Sequence, residues 1–357
     1  MSRVVFACVD ADTLGGVQQV THTLAQGLAL RGHEVHLVGL NQTAEPFRYV
    51  QRPLYERHVL RRRPLGDGPG TTRRRAGRLL SAIGPEYAVL TCPATVSLLA
   101  GLLPPGSRSI GQYHGSYEHA RGHGGLAAVA RDYAALDQAV FPSPQDARRF
   151  AEEALLPNTA HLPSPLRAWP DTPSFLDVPR VLGVGRLVPV KRFDRLITAF
   201  ARAGRTRGRW ELHLIGEGPE RDRLRAHAAS LGVAGRVVFR GRVTVAEMGR
   251  EYLNGAILGL TGEHEGFPLP VAEAASYGMP SVAFDVSAGV RALVLDGLTG
   301  ALVPPADVDA FTAALSGLMA DHARRRRLGA AARAHAAAYR AENVLDRWET
   351  LFAQVCR

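Results

Sequence analysis

The sequence predicts an α/β protein with two doubly wound domains, and three observations support this fold class. A chain of 357 residues is too long for one ordinary hydrophobic core and suits two domains of about 150–180 residues. Strand-like apolar segments alternate with helix-like segments, which favours parallel sheets with right-handed crossovers. A stretch rich in Pro and Asp, residues 163–179, interrupts this alternation. We therefore predict an N-terminal domain over residues 1–168 and a C-terminal domain over residues 169–340.

The N-terminal domain is predicted to open with a strand over Arg3–Val9, followed by a glycine turn and a helix over Val17–Arg31. Gly32 ends this helix, and Glu34–Leu40 is the second strand. Further strands are predicted at Ala88–Cys92, Ser109–Tyr113 and Gln138–Phe141. This order places the glycine turn at the carboxyl end of the first strand, where doubly wound sheets bind ligands.

The C-terminal domain restarts the same alternation. Its predicted strands are Arg180–Gly185, Glu211–Ile215, Val237–Phe239, Ala256–Leu260 and Ser281–Phe284. Its predicted helices are Arg192–Arg202, Glu220–Leu231, Val245–Tyr252 and a helix that starts near Pro270. A last helix, over Ala341–Val355, carries Trp348 and Phe352.

Composition limits the class of protein. Hydrophobic content is 46%, and no run of eighteen apolar residues exists, so we expect no membrane-spanning helix. The first residues fit a strand better than a signal peptide. Three scattered cysteines argue against a disulfide or zinc framework and favour a reducing compartment. We expect a cytoplasmic location, with peripheral contact at the inner face of the membrane left open.

Part of the net charge of +10 is concentrated between Arg57 and Arg78, a region that we predict to be a basic loop. Its arginines are Arg57, Arg61, Arg62, Arg63, Arg73, Arg74, Arg75 and Arg78, and Gly66, Gly68, Pro69 and Gly70 separate the two clusters. Three roles stay open: binding an anionic acceptor, contact with an anionic membrane, or a solvated surface. Nucleic acid is not expected, because no recognition motif or interleaved aromatic pattern accompanies the charge.

Two glutamates, Glu265 and Glu273, have seven residues between them across a predicted loop-to-helix junction. Pro268 and Pro270 suit the first turn of a helix, which places Glu265 in the loop and Glu273 about one turn inside. Eight residues of full helix would separate them by about 12 Å along the axis. Retaining glycosidases hold their carboxyl groups about 5–5.5 Å apart, so a close catalytic pair is not implied.

Cations and backbone donors suited to phosphate accompany these glutamates. Arg186 and Lys191 follow the first strand of the C-terminal domain and offer a planar fork and a point charge. The turn from Gly266 to Leu269 places N–H groups at a helix N-terminus, which is an anion site. No D-x-D cluster or His/Asp grouping predicts a metal site.

Taken in order, these motifs resemble glycosyltransferase family 4, retaining enzymes of the GT-B fold. The resemblance implies two Rossmann-like domains facing a cleft, with residues 341–357 crossing back to the N-terminal domain. It implies that Glu265 contacts the donor sugar, that Glu273 holds the ribose, and that Arg186 and Lys191 clamp the diphosphate. It implies further contacts for the glycine loop Gly15 and Gly16, for His114 near the donor sugar, for Gly216, Arg242 and Val243 at the nucleotide, and for Gly266, Phe267, Pro268 and Leu269.

The function implied is transfer of a sugar, with retention, from a nucleotide-diphosphate donor to a hydroxyl acceptor. We expect no cofactor and no metal, with a UDP-sugar as first choice of donor and an anionic or lipid-linked acceptor left open. Two alternatives remain: a sugar-nucleotide epimerase on the same fold, and a catalytically silent binding protein.

Overall fold

The computed structural model describes residues 1–43, 45–61, 69–204 and 209–356. The chain forms two compact α/β units: Met1–Ala168 with Tyr339–Arg357, and Trp169–Ala338. Within the described residues, no helix combines the length and the apolar character needed to cross a bilayer.

The first unit is built on a seven-stranded sheet in which all neighbouring strands are parallel. Its strands are β1 Arg3–Asp10, β2 Glu34–Asn41, β3 Glu56–Arg61, β4 Tyr87–Leu90, β5 Arg108–Gln112, β6 Gln138–Phe141 and β7 Thr159–His161. Its helices are α1 Gly16–Leu30, α2 Pro69–Ile83, α3 Pro93–Leu99, α4 Tyr117–Gly122, α5 Gly125–Tyr133, α6 Pro144–Glu153 and α14 Ala341–Val355. The strand order is β3-β2-β1-β4-β5-β6-β7, so successive strands are added on one side of β1 up to β3 and on its other side from β4 onward. The order therefore reverses between β1 and β4.

The second unit repeats this plan with six parallel strands in the order β10-β9-β8-β11-β12-β13. Its strands are β8 Arg180–Val184, β9 Glu211–Ile215, β10 Val237–Gly241, β11 Ile257–Leu260, β12 Ser281–Phe284 and β13 Gly300–Val303. Its helices are α7 Phe193–Ala203, α8 Arg221–Ser230, α9 Val245–Leu253, α10 Leu269–Ser276, α11 Ala288–Leu293, α12 Val308–Ala320 and α13 His322–Ala336. Here the reversal falls between β8 and β11.

Strand composition explains why both sheets are covered on two faces. In β1 the run from Val4 to Ala7 is fully buried, and all four residues of β11 and of β12 are buried. A strand buried on both faces reads as a continuous apolar run, which is typical of parallel sheets with helices on each side. The predicted fold class of two doubly wound α/β domains is therefore confirmed.

Helix α14 packs on the first unit, as predicted for the crossing back of the C-terminus. The indole of Trp348 is fully buried and meets Phe6 of β1 edge-on, with ring centroids 6.3 Å apart. The Phe352 ring stacks on Tyr87 of β4 at 4.3 Å. Aromatic contacts with β1 and β4 hold the last helix of the chain against the first sheet.

The structure corrects the predicted basic loop. Arg57 and Arg61 lie on strand β3, and the second arginine cluster, residues 73–78, lies on helix α2. Arg62, Arg63, Gly66 and Gly68 fall outside the described residues. Glycines and a proline near the start of α2 suggested a loop, but Pro69 occupies the first helical position, where its missing N–H costs nothing.

Trp348→Ala tests the contribution of α14 to the first unit. We expect the free energy of unfolding to fall by about 3–5 kcal/mol, because the substitution leaves a large cavity beside Phe6. Urea unfolding measures the change, with Gln354→Ala, an exposed position of the same helix, as the control. Equal unfolding midpoints for wild type and Trp348→Ala would contradict the packing described above.

Candidate active site

A partly buried ion pair lies where the strand order of the second sheet reverses. Lys191 ends the turn after β8, and Glu265 lies in the loop after β11. The Nζ atom of Lys191 is 2.8 Å from both carboxylate oxygens of Glu265. The Glu265 side chain is 5% exposed and that of Lys191 is 26% exposed, so the cation partly faces solvent. The two predicted residues are thus brought together at the switch point, the usual ligand site of such sheets.

Backbone segments cross closely beside this pair. Gly216 has a positive φ of 140°, and a Cβ added there would lie 2.0 Å from the carbonyl oxygen of Gly185. The Leu187 N–H donates to the carbonyl of Glu217 at 2.8 Å, which joins the loops after β8 and β9. Only glycine allows this approach, so Gly216 shapes the loop through its backbone.

Glu273, the second of the two glutamates singled out in the sequence, lies within the eight-residue helix α10, as predicted. Its Oε2 accepts a hydrogen bond of 2.7 Å from the hydroxyl of Tyr252, a buried residue of α9. Burial, together with the Glu273 carboxylate, raises the pKa of Tyr252 well above its usual value, so the phenol stays protonated and donates. The carboxylate of Glu273 is therefore held in place by a neighbouring helix.

The loop before α10 packs against the start of α11. A Cβ at Gly289 would lie 1.6 Å from the carbonyl oxygen of Gly266, so the two backbones touch. Pro268 precedes the helix as its N-cap, and Leu269 is its first residue. Proline has no N–H, so only Gly266, Phe267 and Leu269 of the four predicted residues can offer backbone donors.

The remaining predicted cations of this unit differ in their pairing. Arg186 is exposed, and no carboxylate of the described residues lies within ion-pairing distance of it. Arg242 is half-exposed and lies 3.7 Å from Glu217, and its neighbour Val243 is partly buried. Of the predicted phosphate ligands, Lys191 is fixed by a partner and Arg186 is not.

In the first unit, the glycine loop after β1 is held by a tyrosine that the sequence did not single out. The Gly15 N–H donates to the hydroxyl of Tyr49 at 2.7 Å, and this hydroxyl donates to the carbonyl of Thr13 at 2.8 Å. The Tyr49 ring stacks on His22 at 4.6 Å. Gly16 starts helix α1, so the loop leads directly into a helix N-terminus.

His114 follows β5 in the first unit. Its Nε2 atom is buried and has no hydrogen-bond partner among the described residues. Burial lowers the pKa of His114 to about 4, so the imidazole is neutral near pH 7. A buried nitrogen without a partner is costly and is common where a ligand supplies the missing contact.

Sequence reasoning missed Tyr49, Tyr252 and Gly289, which position the loops rather than carry a motif. Tyr252 lies 21 positions before Glu273, and Tyr49 lies 34 positions after Gly15. A buried tyrosine hydroxyl needs a hydrogen-bond partner, so a tyrosine predicted to be buried signals such a contact. Nothing in the sequence identifies the residue that provides it.

Comparison with known proteins matches both halves of the chain. A family model described as "Glycosyltransferase Family 4" matches residues 14–163, and one described as "Glycosyl transferases group 1" matches residues 170–335. These ranges include the glycine loop, the Lys191–Glu265 pair and Glu273.

Curated relatives cover the chain unevenly. An exopolysaccharide phosphotransferase of Streptomyces coelicolor is 29% identical over 99% of this chain and 41% of its own length. A lipopolysaccharide 1,6-galactosyltransferase of Salmonella typhimurium is 35% identical over 39% of this chain and 40% of its own length. A GDP-mannose-dependent alpha-(1-6)-phosphatidylinositol monomannoside mannosyltransferase of Mycolicibacterium smegmatis is 34% identical over 48% of this chain and 45% of its own length. The matched regions thus span less than half the length of these relatives.

Solved structures share the fold. Sucrose-phosphate synthase from Thermosynechococcus elongatus has a TM-score of 0.85 at 19% identity, covering 99% of both chains. HepE from Anabaena, solved in complex with UDP and glucose, has a TM-score of 0.82 at 16% identity, covering 99% of this chain and 100% of that one. At such identities the likeness shows the fold alone, which is GT-B. Because glycosyltransferase family models match its two halves in order, the chain belongs to glycosyltransferase family 4.

Proposed function

We propose that this chain is a retaining, metal-independent glycosyltransferase that moves a sugar from a nucleotide diphosphate to a hydroxyl group. The observation that carries the proposal is the Lys191–Glu265 ion pair at the switch point of the second sheet. Departure of the nucleotide adds negative charge to its diphosphate, and fixed cations and N–H donors are needed to stabilise that charge. Lys191 supplies a cation that is already in position.

The geometry of the pair leaves Lys191 able to bind phosphate. An ammonium group has three N–H donors, and the two oxygens of Glu265 account for two of them. The third can donate to a phosphate oxygen. Arg186 is exposed and has no carboxylate partner within the part of the chain that the structure describes, so it can add a bidentate contact. The N–H groups of Gly266, Phe267 and Leu269 complete the predicted diphosphate site.

The two glutamates take different parts in this proposal. Glu265 orients Lys191 and, with about four lone-pair sites on its carboxylate, can also accept from hydroxyls of the donor sugar. Glu273, fixed by Tyr252, accepts from the ribose hydroxyls. Gly216, Arg242 and Val243 lie along the nucleotide in the same proposal. The acceptor oxygen attacks the anomeric carbon on the face from which the phosphate leaves, and the departing phosphate takes the acceptor proton. Attack on that face gives retention.

The first unit is proposed to bind the acceptor, with Gly15 and Gly16 near the transferred group. His114 is neutral, and its Nε2 has no partner among the described residues, so it is suited to a hydrogen bond with a hydroxyl of the donor sugar. We do not assign His114 the role of a general base. The arginines of α2 favour an anionic acceptor, including a lipid-linked one.

UDP is the first nucleotide to test, because the GT-B structure of HepE was solved with UDP and glucose. GDP is the second, because the Mycolicibacterium smegmatis relative is named for GDP-mannose. The phosphotransferase relative is matched over only 41% of its length, so its activity is not carried over.

Thermal unfolding with UDP, GDP, ADP and TDP, each with EDTA or with Mg²⁺, tests the donor site. A nucleotide at 100 times its dissociation constant should raise the free energy of unfolding by about 2.7 kcal/mol, and we expect this with EDTA as well as with Mg²⁺. A shift seen only with Mg²⁺ would contradict metal-independent binding. No shift with any nucleotide would favour the silent binding protein.

Two substitutions separate turnover from nucleotide binding. Lys191→Ala should lower kcat by about 10²–10³-fold, because it removes a donor to the developing charge. Glu273→Ala should mainly weaken nucleotide binding, by about 10–100-fold, because it removes charged hydrogen bonds to the ribose. Arg202→Ala, which removes a half-exposed cation of α7, is the control and should behave as wild type.

Initial-rate kinetics and nucleotide titrations measure both effects of these substitutions, and the anomeric configuration of the product, read by NMR, tests retention. Near-wild-type values for Lys191→Ala and Glu273→Ala would exclude the proposed site. An inverted product would exclude the retaining mechanism, and conversion of the donor without acceptor would favour the epimerase.

The pKa of His114 gives a prediction that needs no substrate. Because its folded pKa is lowered to about 4, an unfolded chain binds a proton there first, and stability is lost as pH falls from about 6.5 toward 4. The imidazole signals of His114 should therefore not titrate between pH 5 and 8 in NMR. The drop in unfolding free energy between pH 7.5 and pH 5 should be smaller in His114→Gln than in wild type. Titration of His114 near pH 6.5 would contradict its burial.

A further inference from the structure

Two histidines and a glutamate meet at the outer edge of the first sheet, away from the proposed donor site. His36 lies near the start of β2, and Glu56 and His58 lie on the edge strand β3. The parallel register pairs His36 with Glu56 and Val38 with His58. Because side chains alternate along a strand, His36, Glu56 and His58 project from the same face of the sheet.

The three side chains present ligand atoms at short mutual distances. The Nδ1 atom of His36 is 3.1 Å from Nε2 of His58 and 3.4 Å from Oε2 of Glu56. The Nε2 atom of His58 is 3.9 Å from Oε1 of Glu56. In a tetrahedral zinc site with bonds of about 2.0–2.2 Å, ligand atoms lie about 3.3–3.6 Å apart. The shortest distance between each two of the three side chains is therefore within a few tenths of an ångström of that spacing, and one ligand atom from each residue lies within 4.8 Å of the other two.

A second carboxylate fixes the ring of His36. Its Nε2 atom lies 3.2 Å from Oε1 of Glu34, two residues earlier on β2. An Nε2–H that donates to Glu34 leaves Nδ1 without a proton and facing His58 and Glu56. Metal-binding histidines commonly donate their second ring nitrogen to a carboxylate in this way. The ring is also held by its surroundings, since His36 is only 6% exposed.

We propose that His36, Glu56 and His58 form a binding site for a divalent transition-metal ion, with Zn²⁺ as the best match. Two imidazoles and one carboxylate are a ligand set that Zn²⁺ accepts, whereas Mg²⁺ and Ca²⁺ prefer oxygen ligands. The Glu56 side chain is 66% exposed, so a water molecule can supply the fourth ligand. The bound ion joins edge strand β3 to β2.

This site is separate from the proposed sugar transfer. His36 and Glu56 lie at the amino ends of their strands, whereas the glycine loop follows the carboxyl end of β1. The ion has a structural role at the sheet edge, and metal-independent transfer is not affected by it.

Metal binding to the untagged full chain, first stripped with a chelator, tests the proposal. Calorimetric titration with Zn²⁺ should show one ion per chain, and Co²⁺ should give the intense visible absorption of four-coordinate cobalt. Zn²⁺ should also raise the melting temperature of the wild type. Absence of Zn²⁺ binding would overturn the proposal.

Variants locate the ion. Glu56→Gln keeps the shape of an exposed side chain and, like His58→Ala, should weaken Zn²⁺ binding by at least about 100-fold. Glu34→Gln, which acts only through the His36 ring, should weaken binding by about 10–100-fold. Melting curves without metal verify that each variant folds as the wild type does.

A second pair of histidines in the same unit is the competing location for an ion, and substituting this pair separates the two locations. His119 and His123 are four positions apart, and their rings stack at 4.4 Å. The double substitution His119→Ala with His123→Ala should leave Zn²⁺ affinity unchanged. Loss of the ion in this double variant, or wild-type affinity in His58→Ala, would overturn the assignment to β2 and β3.

Discussion

The reversal of strand order within each parallel sheet is the constraint on which the rest of the structure depends. In the second sheet β8 and β11 are hydrogen-bonded neighbours although two strands and three helices intervene along the chain. Crossovers leave this point in opposite directions, so the loops that follow the two strands separate and leave room for a ligand. Lys191 and Glu265, distant in sequence, meet there because of this topology. The order of the strands in the second sheet is therefore the first requirement of the site.

Burial then makes the partners of the glutamates necessary. A carboxylate as buried as that of Glu265 would be strongly disfavoured without a cation nearby. The ammonium group of Lys191 compensates the charge of Glu265, and the hydroxyl of Tyr252 donates a hydrogen bond to one carboxylate oxygen of Glu273. The two glutamates are thus held by different chemistry, an ion pair and a neutral donor. One loop and the helix after it therefore hold two carboxylates in different ways, which is consistent with the separate tasks proposed for them.

The sequence predicted features that depend on local pattern and missed those that depend on pairing. Strands Glu211–Ile215 and Ser281–Phe284 match the structure residue for residue, because apolar runs bounded by turn residues specify them. The prediction of a basic loop was wrong for the arginines of β3 and α2, since a run of arginines carries no apolar periodicity in a short window. The meeting of His36 with His58 depends on the register between β2 and β3, which no motif records.

In the proposed transfer, Lys191 and Arg186 take different parts in binding the diphosphate, because Lys191 has a carboxylate partner and Arg186 has none among the described residues. Lys191 is held by Glu265 before any ligand arrives, so in this proposal its field acts on the leaving group without further reorganisation. Arg186 is exposed, and an arginine that becomes fixed on binding gives up about 1.5–2 kcal/mol of rotamer freedom. Its bidentate contact must exceed that cost before it adds affinity. We therefore propose that the fixed lysine contributes more to stabilising the transition state, and that the arginine contributes mainly by fixing the position of the donor.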